Sequence, residues 1–271
     1  MIRSYNTERD MAELLAMRPD RSQPEVFARR TKYGHSSAIN AGLTPVEAIP
    51  DVLVSPTDYK DVLAKAHELK ILPVYHQYNS WAPAGTFRWN QNGLPYCWTW
   101  SGTAGLLDVR AIEQKPTVLL APVSMGFLVG WKDRGNYLES FVKGARERGI
   151  CPAVAREYNS RNRSAAYWAG YDSERAKYRL DATWDTNNQA GDATMLQHCL
   201  SILAYGRPLY IAYNWWGHAL ECVGLRWTEG TYLNVTWQIR NSHNEDDIIE
   251  LDGSRGVPDE AIGFISTQLA E

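Results

Sequence analysis

Gln91-Asn-Gly-Leu-Pro-Tyr-Cys97-Trp98 is the stretch on which the reading of this chain turns. It sets a carboxamide six residues ahead of a thiol, and a helical pattern begins at the thiol. From 97 to about 113, Trp100, Ala104, Leu107 and Ala111 recur every three or four residues, as one face of a helix does. A cysteine at a helix N-terminus lies where backbone N–H groups favour a thiolate. A nucleophilic thiolate also needs a base, a group to orient that base, and a donor for the oxyanion. The chain offers His218 in Gly217-His-Ala219 and Asn241 in Arg240-Asn-Ser242. Taken alone, each has an ordinary explanation: a buried cysteine among Tyr96, Trp98 and Trp100, a core histidine at a strand start, and an Asx turn.

Working outward, residues 1–20 read as a short helix capped by Thr7 and ended by Pro19. Residues 20–54 show no sustained period and read as an extended arm. Ser55-Pro56 opens a helix with Val62, Ala66 and Leu69 on one face, and Pro73 follows its end. Gly102 and Gly105 weaken the 97–113 helix but let a neighbour approach closely. Further helices are predicted over 137–148, stopped by Gly149, and over 193–205, stopped by Gly206 and Pro208. After Pro208 the period changes to two. Residues 209–213 and 219–227 read as strands. Leu233, Val235, Trp237 and Ile239 alternate with Asn234, Thr236, Gln238 and Arg240, and 248–251 adds another strand. A helical first half and an antiparallel second half define an α+β class with a cleft between two parts.

The Gln91…Cys97-Trp98 segment resembles the Gln…Cys-Trp segment of papain-like cysteine peptidases, at the same offset. His218-Ala-Leu-Glu-Cys-Val-Gly224 resembles the family's His-Ala-Val…Gly strand. Asn-Gln-Asn-Gly…Tyr-Cys-Trp, Tyr-Asn-Trp-Trp-Gly-His and Leu-Asp-Gly-Ser-Arg-Gly-Val-Pro are similar to papain-like proteins of bacterial and phage genomes. The resemblance covers roughly residues 85–265. It implies a two-lobed fold, a helical lobe and an antiparallel β lobe with the active-site cleft between them. Residues 85–271 would form that domain, and 1–84 an N-terminal extension.

Carried over, Cys97 is the nucleophile, His218 the base, Asn241 the orienter and Gln91 the oxyanion donor. Trp98, Gly135, Asn136 and Gly217 line the substrate's path, and Gly217 lets substrate backbone pass close to the base. The expected partner is a peptide or protein substrate, with no metal or organic cofactor. The His218–Cys97 separation of 121 residues is slightly below the roughly 130–150 usual in the family.

The chain departs from the family at several positions. His243 stands where the family has a tryptophan two residues after the asparagine. Leu94 stands where it has a disulfide cysteine, and Pro95 replaces a glycine. Asp133-Arg-Gly135-Asn136 replaces a Cys-Asn-Gly-Gly loop that pairs with substrate, and only Gly135 keeps that loop's character. The first 80 residues carry no inhibitory-propeptide pattern. These departures support a second reading, a structural or binding module such as a virion surface or cementing protein. In that reading the N-terminal arm makes assembly contacts.

Composition narrows the field. A net charge of −3 gives no electrostatic case for nucleic acid or an anionic membrane surface. No apolar run approaches a membrane span, and Met-Ile-Arg-Ser-Tyr-Asn has no apolar h-region, so cytoplasmic synthesis is expected. Cys97, Cys151, Cys199 and Cys222 are far apart and read as thiols outside any disulfide. Eleven tryptophans and fifteen tyrosines suit either a core or a binding surface. His198-Cys199 reads as core. Asp185–Asp192 resembles a calcium loop only faintly, because its twelfth position is Leu196, and it reads as a solvated turn. Residues 244–247 read as a surface loop.

Overall fold

The computed structural model describes residues 2–5, 26–27, 53–76, 90–91, 94–116, 118–128, 135–153, 165–186, 191–242 and 248–268. In chain order the strands are β1 (Ile2–Tyr5), β2 (Val26–Phe27), β3 (Asn136–Tyr137), β4 (Leu180–Asp185) and β5 (Leu209–Tyr213). β6 (His218–Trp227), β7 (Val235–Arg240), β8 (Ile248–Leu251) and β9 (Glu260–Thr267) follow. The α-helices are α1 (Tyr59–Glu68), α2 (Cys97–Ile112), α3 (Val123–Leu128), α4 (Leu138–Glu147), α5 (Ala165–Trp168), α6 (Asp172–Ala176) and α7 (Asp192–Ala204).

Seven strands form one sheet in the order β1-β8-β7-β6-β5-β9-β4. Every pairing in it is antiparallel except β1 with β8. The sheet has a core on each face. On one side Tyr210, Ala212, Ala219, Ile262 and Phe264 pack with α2, α3 and α4. On the other, Leu209, Ile211, Leu220 and Ile239 pack with Leu63 of α1 and Leu200 of α7. This is why both halves of the β7 alternation are buried: its apolar set faces α1 and α7, and its polar set is enclosed as well.

Helix α2 runs through the helical lobe and is buried from Cys97 to Arg110. Its two glycines have the predicted use. A methyl at Gly102 would sit 2.5 Å from the Phe141 ring, and one at Gly105 would sit 2.9 Å from Phe264. Both rings therefore lie directly on the helix backbone, with Tyr210 as a third member of the aromatic cluster. Burying side chains of this size contributes roughly 1.5–3 kcal/mol each relative to exposure.

The expected helix over residues 1–20 is corrected at its start, where Ile2–Tyr5 is a strand. The edge of β8 offers unpaired backbone groups, and β1 takes them up in parallel register, Ile2 opposite Ile248 and Tyr5 opposite Leu251. Thr7, Asp10 and Pro19 lie outside the described residues, as does most of the arm over 20–54. The strand expected from Leu233 begins at Val235, because Leu233 and Asn234 both have φ of 55° in the turn that precedes it.

Candidate active site

The site is built on the register between α2 and the sheet. Cys97 is the first residue of α2, and the backbone N–H of Ala219 donates to its Sγ at 3.4 Å. One turn along, Ser101 Oγ donates to the carbonyl of the same Ala219 at 2.7 Å. The Tyr210 hydroxyl on β5 donates to the Trp98 carbonyl at 2.7 Å. Two side chains of α2 thus hold both backbone groups of one β6 residue, Ala219, next to His218. The thiol is held at the strand start that carries the imidazole.

His218 follows a tight connection. β5 and β6 form a hairpin in which Tyr213 pairs with His218, and Gly217 N–H donates to Tyr213 O at 2.8 Å. Gly217 has φ of 62°, a conformation that costs a glycine nothing and strains a branched residue. The glycine beside the base is therefore required by the turn, whatever it does for a substrate.

His218 Nε2 lies 2.8 Å from Asn241 Oδ1. The Ser242 backbone N–H also points at Asn241 Oδ1, at 2.8 Å. A backbone N–H can only donate, so this atom is the amide oxygen and Nε2 must carry the hydrogen. In the neutral ring that leaves the lone pair on Nδ1, the nitrogen a base uses. Trp216 packs against the imidazole, its ring centroid 5.0 Å away at 54°, and half-buried Trp215 stacks on Trp216 at 5.4 Å. The Arg255 guanidinium lies over the Trp215 ring, 5.7 Å from its centroid. Trp216 and His218 are both buried, and an aromatic ring at this position limits the water that can reach the imidazole. His243, where the sequence departs from a family tryptophan, lies outside the described residues.

Gln91 is fixed at both ends of its amide. Its Oε1 accepts from Ser242 Oγ and its Nε2 donates to Leu94 O at 2.6 Å. Its backbone N–H donates to Ser242 O at 2.8 Å. Ser242 therefore joins the Gln91 segment to the Asn241 segment. It was not singled out in the sequence, although its place immediately after Asn241 was the available signal.

The structure brings Gln91, Cys97, His218 and Asn241 into one buried assembly at the junction of α2, β6 and the end of β7. Cys97 and His218 have 0% of their surface exposed. Trp98 is equally buried and faces the core of the helical lobe. Gly135 and Asn136 lie at the head of α4, where Asn136 Oδ1 accepts from Tyr137 N and Ser140 Oγ, both at 2.9 Å. Its side-chain oxygen is thus taken up by its own neighbours. No disulfide joins the four cysteines, all of which are buried. His198 and Cys199 are core residues of α7, and His198 Nδ1 lies 3.3 Å from Thr186 O. Residues 187–190 of the calcium-like stretch and the acidic loop over 244–247 lie outside the described residues.

This arrangement is a papain-like fold, and comparison with solved structures finds the same class. Procathepsin L 3 of the Tenebrio molitor larval midgut superposes with a TM-score of 0.54 at 14% identity, over 96% of this chain and 80% of that one. Xylellain, a cysteine protease from Xylella fastidiosa, gives 0.51 at 16% identity, over 90% of this chain and 100% of that one. Procathepsin L2 proteinase of Tenebrio molitor gives 0.52 at 13% identity, over 90% and 74%. At these identities the likeness is one of fold. No protein-family model and no curated protein sequence matches the chain.

Proposed function

We propose that this chain is a papain-like cysteine peptidase or amidase, with Cys97 as nucleophile, His218 as base, Asn241 as orienter and Gln91 as oxyanion donor. The observation that carries the reading is the tautomer imposed on His218. Asn241 holds the hydrogen on Nε2, so Nδ1 is the proton acceptor, while Ala219 holds the thiol beside the strand that bears the ring. Nδ1 takes the Cys97 proton, and the thiolate attacks a peptide carbonyl. The carbonyl oxygen becomes an oxyanion held by the Cys97 backbone N–H and Gln91 Nε2. The imidazolium returns its proton to the leaving amine, which departs and leaves an acyl-thioester. His218 then removes a proton from water, whose oxygen attacks the acyl carbon and frees the acid and the thiol.

In this reading substrate backbone runs along Gly217, with Gly135 and Asn136 on the opposite side and Trp98 backing the thiol from within. An irreversible thiol-peptidase probe tests it. The expected result is covalent labelling lost in Cys97→Ala and in His218→Ala. Labelling that survives in Cys97→Ala would refute the assignment.

A second reading, a structural or binding module such as a virion surface protein, is favoured by one observation, the complete burial of Cys97 and His218. A folded protein that binds a partner through its N-terminal segment and turns over no peptide or amide would support it.

A further inference from the structure

Three buried charged residues lie behind the site and belong to the same three elements as the reactive groups. Asp108 is on α2 with Cys97, Glu221 is on β6 three residues after His218, and Arg240 ends β7 immediately before Asn241. Arg240 Nη1 donates to Asp108 Oδ2 at 2.8 Å and to Glu221 Oε2 at 2.6 Å. No member has more than 4% of its side chain exposed. The register explains the meeting. Tyr210, Glu221 and Arg240 are direct cross-strand neighbours on β5, β6 and β7, so they share the face that α2 covers. On α2, Cys97, Ser101, Gly105 and Asp108 follow one another along one face, and Gly105 leaves room for Glu221.

Two ionised carboxyls with one guanidinium would leave a net negative charge in a dry interior, at high cost. Both carboxyls accept from the same Arg240 nitrogen, and one proton shared between them removes that charge. We infer that Asp108, Glu221 and Arg240, with one proton held between the two carboxyls, form a positioning set that keeps the thiol helix in register with the strands bearing His218 and Asn241. Burial holds the Glu221 carboxyl well above the usual carboxylate range, with Asp108 raising it further and Arg240 opposing. Among the described residues, the other titratable groups near it are Tyr210 on β5, whose phenol burial also raises, and Cys222 beside it on β6. Cys97 of α2, Glu260 of β9 and Glu139 of α4 push the Tyr210 phenol further up.

The positioning role rests on the thiol-hydrolase reading, whereas the shared proton stands apart from it. Full-length wild-type, Glu221→Gln, Glu221→Ala and Arg240→Lys proteins are compared by urea unfolding and by iodoacetamide labelling of Cys97, across pH. A group whose folded pKa is raised contributes stability that is present below its unfolded pKa and lost as pH rises toward the folded value. Wild type should therefore lose stability as pH climbs above the usual carboxylate range, up to tenfold in folding constant per pH unit from this group. Glu221→Gln, which cannot ionise, should lack that loss. Glu221→Ala and Arg240→Lys should slow Cys97 labelling by about tenfold and shift its pH midpoint, and Glu221→Gln should restore both. An unchanged stability slope in Glu221→Gln overturns the shared proton. A Glu221→Ala protein that is merely less stable, with the wild-type labelling profile, overturns the positioning role. Wild-type Cys97 labelling no faster than Cys151 removes the hydrolase reading and the positioning role with it, while the stability slopes still decide the proton.

Discussion

Gln91 and Ser242 are joined twice, by a backbone hydrogen bond of 2.8 Å and by the Ser242 hydroxyl on the Gln91 amide oxygen. That pairing fixes the amide with its oxygen on Ser242 and its Nε2 donating to Leu94 O, and in the proposed function its second N–H serves the oxyanion. Removing one such donor costs about 10²–10³ in kcat. Gln91→Ala is expected to show that loss with folding intact. Ser242→Ala keeps the donor but releases its orientation, so kcat should fall by about tenfold, with KM and Cys97 labelling little changed. Steady-state kinetics on one peptide substrate would check both.

Trp216 is buried against the His218 ring. Trp216→Leu should lower Cys97 labelling at pH 6 by about tenfold, because more water then reaches the imidazole. Trp216→Phe keeps an aromatic face and should recover most of the rate. Urea unfolding of the same variants separates this from lost packing, for which a tryptophan-to-small change costs about 3–5 kcal/mol.

The Phe141 ring lies where a side chain on residue 102 would go. Gly102→Ala should destabilise the fold by about 1–3 kcal/mol through overpacking. Adding Phe141→Leu should return part of that, because neighbouring changes do not add independently. Chemical denaturation of the two singles and the double is the measurement.

Burial pushes the Cys222 thiol up to about 12, and its S–H donates to Gly224 O at 3.4 Å. Cys222 should therefore stay unmodified by iodoacetamide in the folded protein through neutral and mildly alkaline pH. Peptide mapping by mass spectrometry, native against denatured, should find it alkylated only after denaturation.

Much of this was legible because local pattern and tertiary demand agreed. Helix α2 starts at Cys97, as its three-to-four spacing predicts, and β5 and β8 fall on their expected residues. The missed elements differ. β9 carries Gly263 mid-strand and shows no clean period of two, whereas β4 does alternate, Leu180, Ala182 and Trp184 with Asp181, Thr183 and Asp185, and that short signal was passed over. Each is a strand because it pairs with a distant partner: β9 lies between β5 and β4. β1 is likewise a strand only because β8 is beside it. In the site, the four polar residues could be picked out by type and order. Ser242 had only its place beside Asn241 to mark it, and Trp216 and the Asp108–Glu221–Arg240 set could not be picked out, because their roles arise from cross-strand register and helix docking.

The central claim is that His218, oriented by Asn241, activates Cys97. The most direct test is the pH dependence of Cys97 alkylation by iodoacetamide in wild type and His218→Ala. Burial slows the absolute rate in both proteins, so the pH profiles are what is compared. Wild-type Cys97 should react readily at pH 6, at least about tenfold faster than Cys151. In His218→Ala its rate should rise only near the ordinary thiol value of about 8.5. Two superimposable profiles would contradict the account.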